Sequence, residues 1–379
     1  MSRLLALLLL LIAAVPAAAQ TAATPPQTPA VAPQAATPTV QEARALTALP
    51  LDSGLPVIVR AGLGFVNVEA IDENEEAFTA TVDLRLQWTD LRLRYPAEET
   101  PVGYREWRGP AVDAQLAAMW HPQIGIANMR GEPTRQSRSL RLYPDGRVEM
   151  LRRVSGAFAA PMDVQRFPFD RQFLAVELVS ERETANQVLL DYRQDDLAFS
   201  RADAAIAIPG WNLGAVTLAR DPLPGWYGES YARLRVALEI DRSALQTVPG
   251  LFVPLLASLL IPLLGTWLNE LRDGEFEIEA FEFTNILIGG LFAVIALSFT
   301  VYSERSILAS GINTISMLFA LNFAALALAI VINVALVHFS AVRAVAGRHV
   351  QHETFLFILW ALPVAVAAIA AALILVAAA

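Results

Sequence analysis

Residues 231–268 read YARLRVALEIDRSALQTVPGLFVPLLASLLIPLLGTWL, and the pattern changes character inside this stretch. From Tyr231 to Ile240 apolar and polar residues alternate with a period of two, which is the mark of a half-buried strand. From Val248 to Leu268 the chain is apolar almost without interruption. At 1.5 Å per residue, a helix of that length crosses a hydrocarbon core of about 30 Å. A β-rich domain therefore ends near residue 246 and a membrane domain begins at 247.

On the N-terminal side the same alternation recurs in FTATVDLRLQW (78–88), SLRLYPDGRVEML (139–151) and QFLAVELV (172–179). Within the second of these, Tyr143, Pro144, Asp145, Gly146 and Arg147 form a hairpin signal, because Pro presets one dihedral and Gly supplies a positive one. Many short strands and no long helical period predict an all-β, immunoglobulin-like sandwich over residues 49–246. Ahead of it, MSRLLALLLLLIAAVPAAA (1–19) has a basic start, an apolar core and a small-residue cleavage site, as a secretory signal peptide does. An uncleaved anchor is the alternative, though the core is short for spanning. Residues 20–48 are rich in Pro, Ala, Thr and Gln, cannot bury a core, and read as a tether.

On the C-terminal side, three further apolar segments at about 283–302, 312–339 and 355–378 complete a four-helix transmembrane domain spanning 247–379. Export of the N-terminal domain puts the 269–282 and 340–353 loops on the inner side, where Arg343 and Arg348 suit the positive-inside bias.

Composition agrees with a partner that is lipid: 55% of residues are hydrophobic and mean hydropathy is +0.44. The net charge of −9 comes with no basic stripe, so nucleic acid is not an expected partner. With no cysteine there is no disulfide, thiolate nucleophile or Cys-held zinc. No nucleophile–base or metal-ligand pattern stands out, so neither an enzyme, a metal nor a cofactor is expected. His338, His349 and His352 gather near the inner end of the third span, where solvated or interface roles outweigh a metal or pH site.

Three local features remain. AAPMDVQRFPFDRQ (159–172) is a loop with two aromatics and two aspartates just before a strand; an ordinary loop with a buried Phe is the plain reading. Glu270, Asp273, Glu275, Glu277, Glu279 and Glu282 face one base, Arg272, ahead of the second span. They form either a solvated loop or, if several copies surround an axis, rings of acid that attract cations. The second span carries few polar residues, among them Thr284, Asn285, Ser298 and Thr300, and is slim at Gly289, Gly290 and Ala293. It is either a packed membrane helix or a pore lining that closes by dewetting at Phe292, Ile295 or Phe299.

Taken together these features resemble the pentameric ligand-gated ion channels of the Cys-loop receptor superfamily, in their prokaryotic branch. Phe167, Pro168, Phe169 and Asp170 match the centre of that family's signature loop, and the two flanking cysteines are absent, as in bacterial members. Trp88-Thr89-Asp90 resembles the Trp-x-Asp of an early strand. Trp120-His121-Pro122-Gln123 with Asn128 resembles the first binding loop, and Arg242 stands where the family carries a gating arginine.

The resemblance implies a homopentamer in a bacterial inner membrane, with its N-terminal domain periplasmic or extracellular. It implies a pore lined by the second span and monovalent cations as the permeant ions. If Glu282 flanks the helix start, Asn285, Gly289, Phe292, Ala296 and Phe299 face the lumen; one residue of slip brings in Ile286, Gly290, Ala293, Leu297 and Thr300. Coupling would pass through Phe167 to Asp170, Glu73 (or Asp72) and Arg242 to the 303–311 loop. For the agonist, Trp88, Trp120, Trp226, Tyr227 and Tyr231 offer rings, while the SERETAN loop (180–186) offers Glu181 and no ring. A small amine is expected, or protons acting on the close acids Glu73, Glu75 and Glu76. The competing reading is an oligomeric sensor whose helices only anchor it.

Overall fold

The computed structural model describes residues 46–51, 54–267, 270–272, 275–277, 280–338 and 341–379. The predicted signal peptide and most of the tether lie outside the described residues, as do Asp273 and Glu279 of the acidic run.

The alternating segments fold as two facing sheets. With β3 at Arg105–Arg108, β4 at Ile124–Ile126 and β5 at Met129–Leu142, and the other strands as given next, one has the order β3-β5-β6-β2-β1-β8, the other β4-β7-β10-β9. The central ladders are the long ones: β1 (Val57–Asp72) on β2 (Ala77–Thr89), β2 on β6 (Arg147–Ala159), and β7 (Arg171–Ser180) on β10 (Ser230–Arg242) on β9 (Trp211–Pro224). These pairs are antiparallel, whereas β1 meets β8 (Val188–Asp191) in parallel. Every second residue turns inward. Leu63, Val82, Leu84 and Leu86 from one sheet and Leu174, Val176, Leu234, Val236 and Leu238 from the other are fully buried in one core. That is the packing expected of a sandwich.

The β5–β6 hairpin turns where Pro144-Asp145-Gly146 predicts it. Gly146 sits at φ +83°, and the Tyr143 amide donates to the Arg147 carbonyl at 2.9 Å. Two short helices decorate the sandwich, α1 (Pro110–Ala118) and α2 (Gln194–Phe199).

The sandwich takes up the chain slightly earlier than residue 49. The Trp120 amide donates to the Leu46 carbonyl at 2.7 Å, and Arg92 donates to the carbonyl of Ala48 at 2.9 Å.

Four helical stretches long and apolar enough to span a membrane follow, at Val248–Trp267, Glu282–Glu304, Thr314–Ala335 and Arg348–Ala378. The first is two helices, α3 (Ala244–Ser258) and α4 (Leu260–Trp267), broken at Leu259. Proline explains the break: Pro262 has no N–H to offer the Ser258 carbonyl, so the regular ladder fails there. A neighbour steadies the region, since the Asn322 amide, fully buried, donates to the Leu255 carbonyl at 3.3 Å and to the Ser258 hydroxyl. The later helices are α5 (Ala280–Glu304), α6 (Thr314–Ile332), α7 (Ala341–Ala346) and α8 (Arg348–Ala378). A π-helical turn, Asn333–His338, continues α6.

Two local details add to the sequence reading. The helix that carries the fourth apolar segment begins at Arg348, ahead of residue 355, because a run of mostly polar residues continues it. The acidic stretch before the second span is not wholly loop: Glu270–Arg272 and Glu275–Glu277 pair as a two-stranded ribbon.

A truncation series tests where the tether ends. Removing residues 20–45 behind the expected signal peptide should leave the thermal midpoint of the protein unchanged. Extending the deletion through 48 takes away the acceptor of the buried Trp120 amide, an orphaned donor that costs about 1–3 kcal/mol, and one acceptor of Arg92, which keeps its pairing with Asp90. Equal melting of the two deletions would contradict this boundary.

Candidate functional site

Where β10 ends and α3 begins, four segments far apart in sequence meet on Arg242. The β1–β2 turn is shaped by Asp72, whose Oδ1 accepts the amides of Asn74 (3.1 Å) and Glu75 (3.0 Å). This Asx-type turn leaves the Glu73 and Asn74 side chains directed at the membrane domain. The 159–172 loop folds back on itself, with the Phe167 amide on the Val164 carbonyl (3.1 Å) and the Phe169 amide on that of Arg166 (2.8 Å). Gln172 pins it, donating to the Asp163 carbonyl and to Asp170 Oδ2, both at 2.7 Å.

Arg242 then takes Asp170 in a two-pronged grip, Nε to Oδ1 at 2.7 Å and Nη2 to Oδ2 at 3.0 Å. Its third nitrogen, Nη1, donates to Glu73 Oε1 at 2.7 Å. The guanidinium lies over the rings of Trp211 (4.2 Å) and Phe167 (4.7 Å). Burial pulls the Arg242 pKa down, but the hydrogen bonds it donates to Asp170 and Glu73 more than offset this and hold it above the usual arginine value.

Glu73 is shared. Arg305, on the loop after α5, donates to both its oxygens at 3.2 and 3.0 Å. Asn74 makes a second bridge to that loop. Its Nδ2 donates to the Glu304 carbonyl (3.2 Å), and its Oδ1 accepts the Ile307 amide (3.3 Å). Phe167 completes the junction from below: it is fully buried among membrane-domain side chains, and Arg305 stands 5.5 Å from its ring. Chemically this is a chain of alternating charge, Asp170–Arg242–Glu73–Arg305, reaching from the sandwich to the loop between two membrane helices. Glu73 has two cationic partners, so either bond can strengthen while the other lengthens.

The residues expected to couple the domains, Glu73, Phe167, Pro168, Phe169, Asp170 and Arg242, are thus brought together. Arg305, Asn74, Trp211 and Gln172 were not foreseen. Arg305 carried a signal, as a lone base closing an apolar helix beside Glu304; the others are ordinary residues that only the fold makes neighbours. Asp72 shapes the turn and does not pair with Arg242. Each of the acids Glu73, Glu75 and Glu76 has a partner of its own. Glu73 faces two arginines, Glu75 lies 3.6 Å from Arg130, and Glu76 accepts the Met162 amide at 3.3 Å.

Along α5, Phe283, Leu287, Gly290, Val294 and Val301 pack inward. Glu282, Asn285, Gly289, Phe292, Ala296 and Phe299 are exposed on the opposite side. Gly290 belongs to the packed face: a methyl there would stand 2.6 Å from Ile261 and 3.3 Å from Leu326.

The aromatic residues do not form one box within the chain. Trp88 and Trp120 are 2% and 5% exposed, set edge-to-face at 6.4 Å inside the sandwich core. Trp226 and Tyr227 are 94% and 91% exposed at the tip of the β9–β10 hairpin, and the Tyr231 hydroxyl meets Glu229 at 3.4 Å. Glu181 lines a polar recess of about 390 Å³ with His121, Gln123, Arg138 and Arg152. Burial lowers the Arg152 pKa, with the nearby Arg138 adding to the effect and Glu181 opposing it.

A family model described as "Neurotransmitter-gated ion-channel ligand binding domain" matches residues 46–244, from the first docked residue to just past Arg242. The chain belongs to this family. Similar proteins include a "Proton-gated ion channel" of Gloeobacter violaceus, 24% identical over 56% of this chain and 56% of that protein. Two others are gamma-aminobutyric acid receptor subunits: theta of Mus musculus, 26% identical over 57% of this chain and 33% of its own length, and beta-4 of Gallus gallus, 24% identical over 57% and 43%. The matched part spans about half, or less, of the length of these relatives. In this member of the neurotransmitter-gated ion-channel ligand-binding family, the matched domain ends two residues past Arg242, the residue that carries the junction.

Substitution at Arg242 tests the junction. Its side chain is only 3% exposed, so Arg242→Ala strands a buried carboxylate and costs about 3–5 kcal/mol. The full-length protein in detergent then melts lower or fails to assemble. Asp170→Asn keeps an acceptor for Arg242 and loses less. Melting of both variants at the native temperature would contradict the assignment.

Proposed function

We propose that the chain is one subunit of a homopentameric, cation-selective channel in a bacterial inner membrane. Its signal peptide (1–19) and a tether from residue 20 to about 45 would precede a periplasmic ligand-binding domain. The observation that carries this reading is the shared Glu73, bonded at once to Arg242 of the sandwich and to Arg305 beside the end of α5. A shift of the sandwich changes the balance between those two bonds, and the loop that answers is attached to the helix proposed as the pore lining. A two-state element of this kind is what a gated channel requires.

The exposed line of α5 supports a lumen formed by Glu282, Asn285, Gly289, Phe292, Ala296 and Phe299, with Phe292 and Phe299 as dewetting gates. The packed position of Gly290 speaks against the register shifted by one. Carboxylates flank both ends of that line, Glu282 below and Glu304 above, and rings of acid favour cations.

For the agonist, protons or a small amine remain the two readings. Membership of a group that includes a protein named as proton-gated favours the first. The open rings of Trp226 and Tyr227 with Glu181 favour the second, provided that a neighbouring subunit closes the site. The sparse polarity of α5 keeps alive a non-conducting sensor.

Patch recordings of the purified protein in liposomes, across pH steps and a panel of primary and quaternary amines, test the proposal. Currents should appear on mild acidification or with a primary amine, and reverse near the cation equilibrium potential in a salt gradient. Glu282→Lys should move the reversal potential toward that of chloride. Absence of current under every condition would favour the sensor, and a wild type that already prefers chloride would overturn cation selectivity.

A further inference from the structure

The break in the first span releases a backbone acceptor into the middle of the bundle. There the Leu259 amide bonds the Leu256 carbonyl at 3.2 Å, one residue short of the Leu255 carbonyl that a regular helix would offer it. Two side chains take over the Leu255 carbonyl. The Ser258 hydroxyl donates to it at 2.7 Å and the Asn322 carboxamide at 3.3 Å. The same carboxamide nitrogen also donates to the Ser258 hydroxyl oxygen. Leu255 and Asn322 are fully buried, Ser258 is buried, and Ser258 and Asn322 stand near the middle of their spans.

The donors of this cluster are in use, but its acceptors are not all answered. Asn322 Oδ1 is buried and meets no hydrogen-bond donor among the described residues. The Ser258 carbonyl has lost its helical donor, because Pro262 brings no N–H to it. At mid-membrane depth neither group can turn to bulk water, and each is costly to leave bare. Asn322 is enclosed within its own chain, so neither a lipid headgroup nor a neighbouring copy reaches Oδ1.

We infer that the break holds one buried water, which donates one hydrogen to Asn322 Oδ1 and the other to the Ser258 carbonyl. The chemistry selects that ligand. No charged side chain belongs to the cluster, which excludes an ion, and two acceptors call for an occupant with two donors. The bond from Asn322 to the Ser258 side chain keeps both acceptors in one neighbourhood. Proline breaks in membrane helices are tolerated where neighbouring side chains and ordered water answer the freed backbone groups. A water bridge can also lengthen or tilt while both acceptors stay satisfied, which leaves the break free to bend. Helix α5 lies against the same place. A methyl on Gly290 would stand 2.6 Å from Ile261 and 3.3 Å from Leu326, and Leu326 is one turn beyond Asn322 on α6. The hydrated break thus adjoins the helix proposed as the pore lining. Any part in opening rests on the channel reading; the occupancy itself does not.

A density map of the full-length protein in lipid nanodiscs, at a resolution that shows ordered water, tests the occupancy. Wild type should show one compact peak per subunit, within about 2.7–3.2 Å of both Asn322 Oδ1 and the Ser258 carbonyl. Pro262→Ala supplies the missing N–H, so the peak should be lost in that variant. Pro254→Ala changes the donor to a different carbonyl of the same span and should leave the peak in place. A wild-type map with no peak there, with Oδ1 on a protein donor, or with density for a larger molecule would overturn the assignment. So would a peak that survives Pro262→Ala. The wild-type map decides the occupancy whether or not either variant assembles, and whether or not the protein conducts.

Discussion

A buried guanidinium must be answered on every side, and Arg242 organises the molecule around that requirement. Its two-pronged bond to Asp170 fixes the end of β10 against the loop before β7. Its remaining donor draws the β1–β2 turn into the same place through Glu73. The aromatic faces of Phe167 and Trp211 complete the enclosure, so the charge is desolvated without being left unpaired. A pair of this kind adds little net stability over a well-packed apolar cluster, but removing one member is costly. What the arrangement supplies is register: the sandwich can meet the membrane helices in only a few ways that keep all the charges matched.

Arg305 extends this constraint into the membrane domain. It competes with Arg242 for Glu73 and, like Arg242, stands close to the Phe167 ring. Asn74 joins the same loop by two bonds to backbone, which do not depend on charge. The junction therefore combines a rigid part, Asp170 with Arg242, and an adjustable part, Glu73 between two cations. Beneath it, the first span is weakened at Leu259 by Pro262, and Asn322 ties that break to α6. Movement at the top of the bundle thus has a compliant element below it.

Much of this was legible in the residues because periodicity is a local property. The two-residue alternation around Val82 to Leu86 and Leu234 to Leu238, and the apolar runs of the spans, follow from which side chains must leave water. The Phe167-Pro168-Phe169-Asp170 loop and Arg242 were readable through resemblance. Arg305 and Asn74 were not, because their role depends on a contact across more than two hundred positions that no local pattern encodes. For the residues proposed for the agonist, the sequence says least about where each would stand. Trp88 and Trp120 have the same ring chemistry as Trp226, and only the fold separates two core residues from one at an exposed tip. Spacing along the chain likewise says nothing of the arginines that the fold sets beside Glu73 and Glu75.

The central claim is that Glu73 and Arg305 communicate energetically during activation, not merely that they touch. A double-mutant cycle with Glu73→Gln, Arg305→Gln and the pair, read as the shift in half-activating agonist or proton concentration, measures that communication directly. Contacting charges that move together should be non-additive, with an interaction energy of about 0.5–3 kcal/mol. Additive shifts, agreeing to within about 0.3–0.5 kcal/mol, would mean that the junction holds the domains together without carrying the signal between them.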